Sequence, residues 1–200
     1  MQTKKINTQR LTVLAILAAV IVVLQFVSGY IRIGLVSITL TLVPIVLGAA
    51  LYGIASGAFL GFIFGLVVFI QGMANLDGGF IQLLMQESAV ATVLLCFGKA
   101  IAAGACAGLV HRLLEKKNEL VASVLAGAVA PIVNTGIFVL GMLTLFKDTT
   151  LALSGGGSAI AFLILTMAGV NFLVEFGINM VLAPTLQRVI HVSKRMLAKK

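Results

Sequence analysis

The chain alternates long apolar runs with short polar interruptions, and the spacing of those interruptions predicts membrane-spanning helices. A polar, basic leader covers residues 1–10, and the first apolar run covers residues 11–28. Residues 30–38 mix β-branched side chains with Arg32 and Gly34. That stretch is too short and irregular to cross a bilayer, which predicts a loop folded back over the bundle. The second run, residues 40–52, is short and contains Pro44. A proline removes one backbone hydrogen bond, so a broken or tilted helix is expected there. The third run, residues 54–71, follows with almost no loop, and residues 72–85 turn from polar and glycine-rich to apolar, which predicts a loop with a re-entrant turn. The fourth and fifth runs, residues 88–114 and 120–146, flank a charged hairpin at 115–119. A loop at 147–158 holds Gly155, Gly156 and Gly157. The sixth run, residues 159–190, is longer than a bilayer requires, so its end is expected to project as a basic amphipathic tail.

Six such runs predict an all-α integral membrane protein, a six-transmembrane-helix bundle. The single domain covers residues 1–200, with 1–10 as a cytoplasmic leader and 191–200 as a cytoplasmic tail. Composition agrees: 60% of the 200 residues are hydrophobic and 10% charged, with mean hydropathy +1.18, where a soluble domain carries roughly 25% charged residues. The leader does not read as a secretory signal, because the apolar run at 11–27 is long and no small-x-small cleavage site closes it. Six crossings put Lys4, Lys5, Arg10, Arg112, Lys116, Lys117, Arg188 and the cations of the tail on one side. The other side holds only Arg32 and Lys147. Positive-inside asymmetry then places both termini in the cytoplasm. The net charge of +8 reads as topology and contact with anionic lipid, with no nucleic-acid partner. Cys96 and Cys106 are expected on one helix about 15 Å apart, too far for a disulfide.

Small residues recur at helical spacing. Ala15 and Ala19 form an AxxxA pair in the first run; Gly53, Gly57, Gly61 and Gly65 repeat into the third; Ala100, Gly104 and Gly108 repeat in the fourth. Such stripes let a second backbone approach closely, either inside the bundle or on a partner. Ordinary packing is the plainer account of the glycine stripe, whereas a docking face serves Ala15 and Ala19 nearly as well. Polar residues at membrane depth are few: Gln25, Lys99, Asn134, Asn171, Glu175 and Asn179, with Gln86 and Glu87 at the outer end of the fourth run. Counted from the outer ends, Lys99, Asn134 and Asn171 lie about 18–20 Å in, and Glu175 about 6 Å deeper. Asn171, Glu175 and Asn179 share one helix face. Lys99 and Glu175 read either as a mutually neutralising pair or as ligand contacts, with a proton relay as a third reading. Asn75 and Asp77 either cap a site or serve turn chemistry.

The chain has no G-x-x-x-x-G-K-[ST], no HExxH and no Cys/His cluster, and its two histidines sit at helix ends, so neither an ATPase nor a metal or cofactor site is expected. With LAILAAV (residues 14–20), LVPIVLGAALYGIASGAFLGFIFGL and GAVAPIVNTGIFVLGMLTLF in this order, the chain resembles the S components of energy-coupling factor (ECF) transporters. The resemblance implies a bacterial membrane subunit that binds a vitamin from outside. It implies docking through Ala15 and Ala19 on a transmembrane coupling subunit carrying two ATPases, whose ATP hydrolysis topples the S component and releases substrate inside. By carry-over the ligand contacts are Gln86, Glu87, Lys99, Asn134, Asn171 and Glu175, with Asn171 where several members use a sixth-span asparagine. A chain without tryptophan and with two tyrosines offers few stacking platforms, although Phe26, Phe80, Phe138 and Phe172 substitute. One buried lysine among amides suits pantothenate; riboflavin, folate and cobalamin are the other candidates. The competing readings are a stand-alone ion-coupled transporter using Glu175, for which no inverted repeat is visible, and a ligand-free scaffold subunit.

Overall fold

The computed structural model describes residues 8–29, 32–33, 36–37 and 40–198. Five helices are long and apolar enough to cross a membrane. They are α1 (Thr8–Gly29), α3 (Ile54–Met73), α5 (Ala89–Leu114), α6 (Glu119–Thr144) and a last helix. That last helix opens as α8 (Ala159–Phe162), passes through a π-helical stretch (Leu163–Ala168) and continues as α9 (Gly169–Ala198). The second apolar run gives α2 (Leu42–Tyr52), of 11 residues, which at 1.5 Å per residue is about 16 Å long against a hydrocarbon core of about 30 Å.

Pro44 does not break α2. It is the third residue of the helix, where a backbone N–H would have no partner within the helix anyway. The helix is short because Thr41 precedes it directly and Gly53 ends it, at φ +87°. Gly53 reverses the chain, so α2 and α3 form an antiparallel hairpin in which a methyl added at Gly48 would strike the Leu60 side chain. The α1 and α3 helices run parallel: Arg10 reaches Ser56 and Gln25 reaches Gln71, each pair 46 residues apart.

Two of the expected loops contain helix. Residues 80–87 form α4 (Phe80–Glu87), whose Ile81 and Leu84 turn inward, so the apolar half of the segment packs as an amphipathic helix. Asp77 starts it by accepting hydrogen bonds from the N–H groups of Gly79 (3.0 Å) and Ile81 (2.7 Å). The turn chemistry expected of Asp77 is therefore its observed role. A further short helix, α7 (Lys147–Leu153), buries Thr150. Of the loop expected at 30–38, only β1 (Arg32–Ile33) and β2 (Val36–Ser37) lie within the described residues, as an antiparallel pair with Arg32 opposite Ser37. This pair is the one non-helical regular element among the described residues. Side-chain caps begin the later helices: Ser88 accepts from Ala91 N–H, and Asn118 from Leu120 and Val121 N–H.

The stripes of small residues meet each other. A methyl at Gly57 would sit on the carbonyl oxygen of Gly104, and one at Gly61 on that of Ala100. One at Gly65 would lie 2.9 Å from the carbonyl oxygen of Cys96, and one at Gly108 the same distance from Cα of Ile54. The α3 and α5 helices therefore run antiparallel with their backbones touching over about three to four turns. Large apolar side chains point the other way, with Val90, Leu94, Leu113, Leu165, Leu173 and Val181 all exposed. Small residues inside and large apolar residues outside is the arrangement of a bundle solvated by lipid. Cys96 is buried and Cys106 half-buried, and both are free thiols.

Gly57→Val should therefore separate α3 from α5 and lower stability by about 2–3 kcal/mol, seen as a fall in Tm of the detergent-solubilised protein. Gly98, whose added methyl would meet nothing within 4 Å, should tolerate alanine with no loss.

Candidate functional site

Of three apolar clusters in the interior, two lie toward opposite ends of α5, α6 and the last helix. The first joins Leu84 of α4, Leu95 of α5, Phe138, Met142 and Phe146 around the end of α6, and Leu163 and Ala168 of the last helix. The second joins Val46 and Ala50 of α2, Ala107 of α5, Ala126 and Ala130 of α6, and Ile190 of α9. The polar residues lie between them on every helix involved. Lys99 falls between Leu95 and Ala107, Asn134 between Ala130 and Phe138, and Asn171, Glu175 and Asn179 between Ala168 and Ile190. In chain order the polar residues thus fall between these two clusters, and Lys99 of α5 meets Phe138 of α6 at this level.

Among these residues, Lys99 is half-buried and its Nζ lies 5.0 Å from the centroid of the Phe138 ring. The ammonium so placed faces the negative π-surface of the ring. Phe138 also meets Phe80 of α4, with ring centroids 6.2 Å apart, so α4 covers the aromatic side of the site. One turn along α6 from Phe138 is Asn134, which is 6% exposed. Its Oδ1 is buried and has no hydrogen-bond partner among the described residues. Leaving such an acceptor unsatisfied costs about 1–3 kcal/mol. Asn171, Glu175 and Asn179 are all buried, and Asn179 Nδ2 donates to the backbone oxygen of Glu175 at 2.8 Å. Phe172 pairs with Phe176 on the same helix at 5.5 Å.

Gln86 and Glu87 stand apart from these residues. Both are exposed at the end of α4. The Glu87 carboxylate accepts hydrogen bonds from the backbone N–H of Thr149 (3.3 Å) and from its hydroxyl, which fastens α4 to α7. Ala15 and Ala19 are exposed on α1, beside Ile16, Val20 and Val23 on its outer surface, while Leu17 and Ile21 face inward. They do not take part in packing the bundle. A groove of about 450 Å³ runs along α9, lined by Leu173, Val174, Gly177, Ile178, Val181 and Leu182. Its walls are apolar and it lies on one helix, so it lacks the polar groups that would orient a ligand.

Gln25 has a partner that sequence spacing did not single out. Its Nε2 donates to Oε1 of Gln71 at 3.0 Å, and Gln71 Nε2 donates to the backbone oxygen of Gln25 at 3.2 Å. Both residues are buried. At the other end of the same two helices, Arg10 Nη2 donates to Ser56 Oγ at 2.8 Å and lies 5.8 Å from the Tyr52 ring centroid. Each contact depends on α1 and α3 being parallel, a relation that periodicity within one helix does not reveal.

The chain is thus a bundle of apolar helices with buried amides and ionisable groups between apolar clusters. Residues 9–187 match the family of ECF transporter substrate-specific components, and the chain belongs to that family. It is therefore a membrane-embedded transport subunit. Among curated proteins none matches this chain.

Gln71→Leu should remove both bonds to α1 and leave Gln25 buried without its partner. The expected loss of stability is about 1–3 kcal/mol, measured as a lower Tm in detergent.

Proposed function

We propose that this chain is the high-affinity vitamin-binding subunit of an ECF-type importer in a bacterial cell membrane, with pantothenate as substrate. The observation that carries the substrate class is the Lys99 ammonium over the Phe138 ring, one turn from the unsatisfied Asn134 oxygen. A carboxylate answers the ammonium, and an amide or hydroxyl donor answers the asparagine. Pantothenate has this pairing on a flexible chain that needs no wide stacking platform. Riboflavin, folate and cobalamin are the other vitamins to compare. Asn171 and Glu175 would complete the site from α9. Gln86 and Glu87, exposed at the end of α4, would act at its rim.

In this reading α2 counts as a sixth crossing, reaching only part of the bilayer but reversing the chain, so that both termini are cytoplasmic. The parallel course of α1 and α3 supports it, because two parallel crossings need one reversal between them. Arg10, Arg112, Lys116, Lys117 and Arg188 then share the cytoplasmic face. Ala15 and Ala19 would form the docking surface for a coupling subunit with two ATPases. Their exposure on α1 supports this role, since residues used only for internal packing would be buried.

The two halves of the reading separate experimentally. Ala15→Trp with Ala19→Trp should abolish vitamin uptake by the reconstituted complex and leave the affinity of the isolated subunit unchanged; normal uptake would contradict the docking assignment. Asn171→Ala should weaken vitamin binding more than tenfold, about 1.4 kcal/mol, and unchanged calorimetric affinity would remove Asn171 from the site. Vectorial uptake by the purified subunit alone, abolished by Glu175→Gln, would favour an ion-coupled transporter instead.

A further inference from the structure

The corner where α1, α2 and α3 meet contains a second set of buried polar groups. Gln25, Ser28, Thr41 and Gln71 are each at most 6% exposed. Gln25 and Ser28 lie one turn apart on α1, and Ser28 Oγ accepts from the N–H of Leu40 at 3.5 Å, immediately before Thr41. Two atoms of the set, Gln25 Oε1 and Thr41 Oγ1, are buried with no hydrogen-bond partner among the described residues.

Both vacancies have identifiable causes. Gln71 donates to a backbone oxygen, which only its NH2 group can do, so its own Oε1 is the acceptor facing Gln25. That fixes Gln25 with its NH2 toward Gln71 and its oxygen turned elsewhere. Thr41 occupies the N-cap position of α2 but has helical backbone angles, φ −77° and ψ −15°, and makes no capping bond. An N-cap hydroxyl normally accepts from the second or third residue of the helix. Here the third residue is Pro44, which has no N–H. The hydroxyl thus lies uncommitted at the positive end of a buried helix terminus.

We propose that this corner is a subsite for an uncharged alcohol group of the transported substrate. The proposal rests on the reading of the chain as a vitamin-binding subunit. An alcohol donates to Gln25 Oε1 while accepting from Thr41 or from the first turn of α2. A carboxylate would face the lone pairs of Gln25 Oε1, and an ammonium would face the positive end of α2, so the corner selects against both ions. Among the candidate substrates, pantothenate and riboflavin carry free alcohol groups on flexible chains. A bound water has the same donor and acceptor capacity, and the experiment must distinguish the two.

The test is calorimetry of the detergent-purified protein with pantothenate, riboflavin, folate and cobalamin in turn. Thr41→Val keeps the shape and removes the hydroxyl; Thr41→Ser keeps the hydroxyl. For the vitamin that binds, Thr41→Val should raise Kd at least tenfold, and Thr41→Ser should leave it within about twofold. Should the valine variant not fold, Thr41→Ala carries the same expectation. Equal affinity of Thr41→Val and the unsubstituted protein would overturn the subsite and leave the corner to water, with the vitamin-binding reading intact. Failure of all four vitamins to bind the unsubstituted protein would overturn both.

Discussion

Backbone contact between α3 and α5 is the constraint on which the other helices depend. With Gly57 against Gly104 and Gly61 against Ala100, the two backbones meet directly along this stripe. In lipid no hydrophobic effect draws helices together, so close packing and polar contacts must do so. The glycine and alanine stripes supply the first on a scale no side-chain contact could match. Once α3 is fixed on α5, the hairpin at Gly53 places α2, and the pairs Arg10–Ser56 and Gln25–Gln71 hold α1 alongside α3. The α6 helix joins on the other side, where a methyl at Gly141 would meet the Leu95 side chain.

This arrangement leaves the interior unevenly filled. Alanines close the end near Ile190, and leucines and phenylalanines close the end near Phe146. Between them are the residues a bilayer tolerates least, including Lys99, Asn134 and Glu175. On the proposed reading they would exchange bonds with water for bonds with a ligand. On the outward face of α1, Ala15 and Ala19 are exposed and stand outside the core.

Much of this was legible in the sequence, for physical reasons that differ by element. The long helices were clear because a lipid-facing helix must be apolar for its whole length, and their ends fell within a few residues of the expected limits. The buried amides of the last helix were legible because Asn171, Glu175 and Asn179 recur at helical spacing within an apolar run. Which partner the small-residue stripes would choose was not, since Gly57 and Ala15 have the same local signature and only the packing distinguishes buried from exposed. The α4 helix was missed because its glycine-rich approach hides an eight-residue amphipathic segment. Pro44 misled because a proline signals a break in a helix interior but fits the first turn. The Gln25–Gln71 pair and the isolated Thr41 hydroxyl follow from the mutual placement of three helices, which no single segment encodes.

The central claim is that the polar residues between the two apolar clusters hold a vitamin. Mass spectrometry of small molecules released from the detergent-purified protein, expressed in rich medium, tests it without a guess at identity. The account predicts a near-stoichiometric water-soluble vitamin, pantothenate first, absent from a matched Asn134→Leu preparation. Preparations free of any vitamin, together with a blank calorimetric titration of the same four compounds, would contradict it.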